Sequence, residues 1–268
     1  MKAGISRSGR EELAAVTSRG RRLVTVDDVV DGLRLGRTEA AKKLARWTEQ
    51  GWLRRVRRGI YIPVPVDVEQ PDLWSEDPLV LAHAVWSPCY FTGWTAASHW
   101  GLTEQIFRTT VVKTSRRVRD ANQRLLDHDY LIGHTSDSVM GWGMRTVWRR
   151  EQRVNMADES RTVVDILDDP GIGGGIRHVA EILSAYMADF GGDQLVDYAE
   201  RLGNRTVFKR LGYLIEAVGI PDDDLVAACR GRISGGVSLL DPGASDTGPR
   251  IGEWGLRANV RVEGNASL

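Results

Sequence analysis

The chain has 268 residues, 42% apolar and 27% charged, with 36 basic and 36 acidic side chains. That composition fits a folded globular protein of about two domains, at roughly 100 to 200 residues each, and no apolar run approaches the roughly 20 residues a membrane span needs. The neutral total hides a polarised molecule, because the first 63 residues hold 15 Lys/Arg against 7 Asp/Glu and leave 21 against 29 for the rest. Met1 to Arg10 has basic residues but no apolar stretch, so it does not read as a secretory signal and a cytoplasmic location is expected. Cys89 and Cys229, each in apolar company, are expected to be reduced buried thiols rather than parts of a disulfide or zinc framework.

The first element expected is a helix capped by Ser8, with Glu11 and Glu12 in its first turn, Leu13, Ala14 and Val16 following, and Gly20 as its stop. Thr25 opens a second helical pattern in which Val26, Val29, Val30 and Leu33 recur at helical spacing, and Gly36 supplies a turn. Thr38 opens a third. There Ala41, Leu44, Ala45 and Trp47 or Thr48 share one face, Lys42, Lys43 and Arg46 project elsewhere, and Gly51 sits at the expected end. Trp52 to Ile62 follows as strand, arginine cluster (Arg54, Arg55, Arg57, Arg58), glycine and strand, the pattern of a basic hairpin.

Helices followed by a basic hairpin outline a winged helix-turn-helix. Its third helix suits the major groove and its wing suits flanking phosphates, because arginine forks match phosphate oxygens and guanine edges. The candidate DNA-binding residues are Arg37, Thr38, Lys42, Lys43, Arg46, Arg54, Arg55, Arg57 and Arg58. The alternative is an ordinary solvated helix face; the excess of one sign on two consecutive elements argues against it. Pro63, Pro65 and Pro71 forbid a helix through this stretch, which suggests an extended link and a boundary near residue 68, giving domains 1–68 and 69–268.

Beyond the link, residues 108–114 are rich in β-formers and lead into arginines, so a positively charged sheet edge or groove is expected. Lys113, Arg116, Arg117, Arg119, Arg149 and Arg150 form a second candidate surface for nucleic acid, RNA included, or for a partner. Equally open is their pairing with acids inside the fold. The five histidines never take metal-ligand spacing, and no metal or cofactor is expected. A Cys89 nucleophile with His83 or His99 is less favoured than a core thiol. Gly171 to Gly175 reads as a flexible interhelix loop rather than a dinucleotide fingerprint, since Ile176 stands where the third glycine belongs. Asp165, Asp168 and Asp169 suggest a nuclease cluster, but no lysine completes it and Asp165 suits a cap or an arginine partner. Pro221 to Leu225 reads as a helix start with proline at its first position, and the tryptophans read mostly as core. Helices are expected over about 160–168, 176–190 and 193–218, and Gly231 to Gly255 reads as a long irregular connection.

The run Cys89-Tyr90-Phe91-Thr92-Gly93-Trp94-Thr95-Ala96-Ala97-Ser98-His99-Trp100-Gly101-Leu102-Thr103, behind the basic wing, resembles the AbiEi family, the antitoxins of AbiE-type bacterial toxin–antitoxin and phage-defence pairs. Further similarity lies in Ser160 to Pro170, in Arg210 to Glu216, and in Leu240-Asp241-Pro242 with Trp254 to Val260. The resemblance spans nearly the whole chain. It implies a repressor that binds inverted repeats in its own promoter through the N-terminal domain. It also implies a C-terminal domain that opposes a nucleotidyltransferase-like toxin without a stable complex (type IV, abortive infection), with no catalytic residues of its own.

The expected fold is therefore α+β, an N-terminal winged helix-turn-helix followed by a larger mixed domain with strands first and helices towards the C-terminus. The rival functions are a metal-dependent nuclease using Asp165, Asp168 and Asp169, and a stand-alone ligand-responsive winged-helix regulator.

Overall fold

The computed structural model describes residues 6–17, 23–65, 68–70 and 74–262. By contacts the chain forms two units, residues 1–86 with 124–129, and residues 87–123 with 130–268.

In the first unit, helix α1 (Arg7–Thr17) is capped by Ser6, whose Oγ accepts from the Gly9 amide at 3.1 Å. Ser8, the expected cap, lies inside the helix, which starts with Ser6 as its cap two residues earlier. Gly20 lies outside the described residues. Strand β1 (Val24–Thr25) leads into helix α2 (Val26–Leu33) through a reciprocal cap: the Asp28 amide donates to Thr25 Oγ1 at 3.2 Å, and the Thr25 amide to Asp28 Oδ2 at 2.8 Å. A left-handed Arg34 ends α2, and Gly36 starts helix α3 (Arg37–Glu49).

Helix α3 buries Ala40, Leu44 and Trp47 against Val16, Val24, Val29, Trp52 and Leu53. Leu44 and Trp47 lie on the buried face as expected, but the alanine positions do not. Ala41 and Ala45 are exposed, since Trp47 rather than Thr48 sets the phase and places its i−3 and i−7 neighbours inward. Gly51 (φ +75°) reverses the chain into strands β2 (Leu53–Arg57) and β3 (Ile60–Pro63), joined by a tight turn with Gly59 at φ +79°. The strands order β1-β3-β2, completing the winged helix. Later in this unit, helix α4 (Pro78–Trp86) buries Leu79, Val80, Leu81, Ala82, Val85 and Trp86.

The second unit starts with strand β4 (Cys89–Phe91), helix α5 (Gly93–His99) and strand β5 (Thr109–Thr114). Strands β6 (Asn122–Leu125), β7 (His128–His134), β8 (Met144–Arg149) and β9 (Gln152–Ala157) complete a six-stranded sheet of order β6-β7-β5-β4-β9-β8. Strand β4 runs antiparallel to β5 and parallel to β9. The expected charged edge at 108–114 is corrected here: β5 is an inner strand between β7 and β4, with Val111 and Val112 fully buried.

Helices α6 (Glu159–Asp168), α7 (Ile176–Asp189), α8 (Asp193–Leu202), α9 (Thr206–Val218) and α10 (Asp223–Arg230) follow. The span 193–218 is two helices, not one, because Gly203 takes a left-handed φ of +83° and Asn204 turns its side-chain amide onto Asp168 at 2.7 Å. Pro221 stands before the cap rather than at the first helical position; Asp222 is the cap, accepting from Leu225 N at 2.9 Å.

Two stretches read from sequence as loose are tightly built. Residues Pro170–Gly173 form a 3-10 turn, and a Cβ on Gly173 would come within 2.6 Å of Val179. Between 231 and 257, strands β10 (Ser238–Leu239), β11 (Arg250–Ile251) and β12 (Leu256–Arg257) make a small sheet around Trp254, which is fully buried. Gly212 leaves room for that indole, since a Cβ there would approach it to 2.0 Å.

Strands first and helices later, behind a winged helix, is the α+β arrangement expected from sequence.

Candidate nucleic-acid interface

The outward face of α3 carries Lys42 and Arg46 one turn apart, both exposed and with no side-chain partner among the described residues. On the hairpin, Arg55 and Arg58 are likewise exposed and unpartnered among those residues. An irregularity in register between Arg55 and Arg57 breaks strict alternation, so that Leu53 and Val56 are both buried while Arg55 and Arg57 face outside. Thr38 and Arg37 are exposed at the start of α3, with Arg37 Nη1 on Asp27 Oδ1 at 2.6 Å. An exposed pair of this kind contributes at most about 1 kcal/mol and exchanges readily for a phosphate. Arg57 is exposed and its Nη2 donates to the Val85 carbonyl at 3.4 Å.

Two of the nine candidate residues are tied inward. Lys43 holds Glu12 at 2.6 Å, lies over the Trp47 ring and is only 24% exposed, so it fastens α1 to α3. Arg54 is 19% exposed, pairs with Asp127 at 3.1 Å and donates to the Trp74 carbonyl. Their partners lie far away in sequence, so spacing within α3 and the hairpin carried no sign of them.

The second candidate surface loses Lys113. Its side chain is buried, with Nζ 3.4 Å from Asp165 Oδ1, because an inner strand points it at α6. Arg116, Arg117 and Arg119 are exposed after β5, and Arg150 is exposed in the turn after β8. Arg149 is half-buried, with Nη2 against His99 Nδ1 at 2.9 Å. Burial and the neighbouring Arg149 hold the His99 pKa below its ordinary value.

Asp165 is the centre of a buried polar network. It accepts from Arg161 Nε at 2.9 Å, Thr92 Oγ1 at 2.7 Å and Tyr90 OH at 3.0 Å, beside Lys113. Burial alone would raise its pKa, but the Lys113 and Arg161 cations and the Thr92 hydrogen bond outweigh it and hold the carboxyl below the usual range. Burial and the same carboxylate push the Tyr90 hydroxyl well up. The arginine partner expected for Asp165 is thus Arg161, one turn before it. Asp168 instead accepts from Asn204, and Asp169 caps the 3-10 turn through Gly171 N at 3.0 Å. The three carboxylates serve separate structural tasks, and no group of three His, Cys, Asp or Glu among the described residues is placed to hold a metal. Burial raises the Cys89 thiol to about 11 and Cys229 to about 12, so both remain protonated core thiols.

Several residues of the motifs beyond the wing are packing and cap residues. A Cβ on Gly93 (φ +60°) would strike the Ile172 carbonyl at 2.4 Å. Arg210 donates to the carbonyls of Leu167, Asp168, Leu239 and Leu240, and Asp241 Oδ2 accepts from Ile176 N at 2.9 Å. What sequence reasoning missed is Trp148, 58% exposed on an edge strand, which pattern alone placed in the core.

Helices α1 to α3, a three-stranded sheet and a cation-bearing third helix and wing make the first part of the N-terminal unit a winged-helix module of the DNA-binding class. Residues 11–64, within this module, match the family model described as transcriptional regulator, AbiEi antitoxin. No curated protein matches the chain. Among solved structures, the RV2827C protein from Mycobacterium tuberculosis is similar at a TM-score of 0.61 and 17% identity, over 95% of this chain and 92% of that one. At that identity the likeness is one of fold, and it runs through both units. No helix among the described residues is long and apolar enough to cross a membrane.

Proposed function

We propose that the protein is an AbiE-type antitoxin that represses its own operon. Residues 1–68 bind inverted repeats in the promoter, and residues 69–268 oppose a nucleotidyltransferase-like toxin, without a stable complex, in the cytoplasm. The observation that carries the reading is the set of exposed cations on two adjacent elements, Lys42 and Arg46 on α3 and Arg55 and Arg58 on the wing, within the stretch that matches the AbiEi regulator family. A helix in the major groove places Thr38, Lys42 and Arg46 towards base edges and near phosphates, while the wing arginines reach the flanking backbone.

The test is fluorescence anisotropy of the full-length protein on its own upstream duplex and on a scrambled duplex, at low and physiological salt. Selective binding that survives physiological salt supports repression. Equal binding to both, abolished by salt, overturns it. Co-expression with the product of the neighbouring gene tests the antitoxin half: rescue of growth supports it, and no rescue overturns it.

A further inference from the structure

We propose that the hairpin of β8 and β9 is a stacking platform for single-stranded nucleic acid, with Trp148 as the stacking plane and Arg153 as its cation. The inference stands independently of the winged-helix reading, since it concerns another surface in the other unit. Strand β8 is a sheet edge, and Trp148 on it is 58% exposed, an indole left largely in water. Trp148 and Arg153 are direct cross-strand partners, and the Arg153 guanidinium lies 4.8 Å from the ring centroid. The next pair along the same face is Thr146 with Asn155, both exposed. One face therefore presents a flat aromatic surface, a cation, a hydroxyl and an amide.

The opposite face is anchored. Arg145 lies 5.1 Å over the Trp100 ring and holds Glu159 at 3.1 Å, while Arg149 holds His99. With both arginines engaged behind it, the hairpin is held by its inner face and offers its outer one. On the outer face itself the charged group is the Arg153 cation.

These groups select the ligand class. An indole stacked on one side by a guanidinium offers the other to a π-face, and every nucleobase has one. Phosphate satisfies Arg153, and the edge of a base satisfies Thr146 and Asn155. A duplex hides its base faces within its own stack, so the matching ligand is a single strand, RNA or DNA.

The experiment uses the full-length protein and labelled single strands of roughly 12 nucleotides, as RNA and as DNA, within the site sizes such grooves cover, alongside the duplex of the same sequence. Wild type binds both single strands at low salt. Trp148→Ala weakens that binding by about tenfold, Trp148→Phe retains most of it, and Arg153→Gln weakens it and flattens its salt dependence. Duplex binding is unchanged by all three, whereas Arg55→Ala with Arg58→Ala weakens duplex binding and spares the single strands. Should Trp148→Ala not fold by circular dichroism, Arg153→Glu carries the test, with loss of single-strand binding expected. Tighter binding to RNA supports the platform with a 2′-hydroxyl contact, and equal binding supports it through stacking and phosphate alone. Wild type that does not bind single strands, or Trp148→Ala that binds them as wild type does, overturns the proposal. A change in sedimentation with no change on nucleic acid also overturns it, and assigns Trp148 to a protein contact.

Discussion

Replacing Asp165 by alanine removes the carboxylate that pairs with two cations, Arg161 and Lys113. Arg161 and Asp165 have no exposed side-chain surface, and Lys113 is 11% exposed. After the substitution Arg161 keeps the Val139 and Trp142 carbonyls at 3.3 and 3.4 Å, the Tyr90 hydroxyl at 3.0 Å and the Trp142 ring at 3.7 Å. None of these neutralises it. Leaving one partner of a buried pair uncompensated costs about 3–5 kcal/mol, and for a unit of this size that lowers the melting temperature by about 6 to 20 °C. Asp165→Asn keeps the shape and an acceptor oxygen, so it falls between alanine and wild type. Because the native carboxyl titrates below its ordinary value, its stabilisation is fully present above the unfolded value near pH 4 and is lost as pH falls through the depressed native value. Wild type and Asp165→Asn therefore converge in acid. Thermal melts followed by circular dichroism at neutral and acid pH measure this. An Asp165→Ala protein that melts within about 2 °C of wild type at neutral pH would refute the reasoning, since a shift that small corresponds to about 1 kcal/mol or less.

Changing Arg55 and Arg58 to alanine weakens operator and scrambled duplex about equally and lowers the salt slope by about 2 if both meet phosphate; anisotropy titrations over a salt series show it, and an unchanged slope removes the wing from the interface. Arg54→Ala, aimed at Asp127 and Trp74, changes the salt slope by much less in the same titrations. Gly212→Ala drives a methyl into the Trp254 ring and destabilises by about 1–3 kcal/mol or more, read as a lower urea midpoint; a wild-type midpoint contradicts the packing. Cys89 and Cys229, buried with thiols raised to about 11 and about 12, stay unreactive to a disulfide reagent at pH 8 until denaturant is added, and rapid labelling of native protein would count against that burial.

The α+β order and the winged helix were legible because local rules decide them. Thr25 and Asp28 cap α2 from within four residues, Gly51 and Gly59 supply the left-handed turns the hairpin needs, and one-signed charge runs through α3 and the wing. The same locality explains the misreadings. Ser8 and Ser6 are equally good caps by type, and only the backbone path chooses between them. An alanine on a helix face can be misplaced by one residue when Ala40 and Ala41 are both small. The glycines of 171–175 and 231–255 were read as slack because composition does not show their neighbours from other elements, such as Ile166 for Gly173, Phe107 for Gly174 and Lys209 for Gly255.

By itself, then, the sequence determined the element types, the polarised charge, the basic module and the absence of metal-ligand spacing. Tertiary structure alone decided which charges face water. Lys43, Arg54 and Lys113 look like surface cations in sequence, yet Glu12, Asp127 and Asp165 draw them inward across 31, 73 and 52 positions. Trp148 looks like core and stands outside. A side chain's periodicity is set by its own strand or helix, but its burial is set by whether another element covers that face. No local pattern records which element that is.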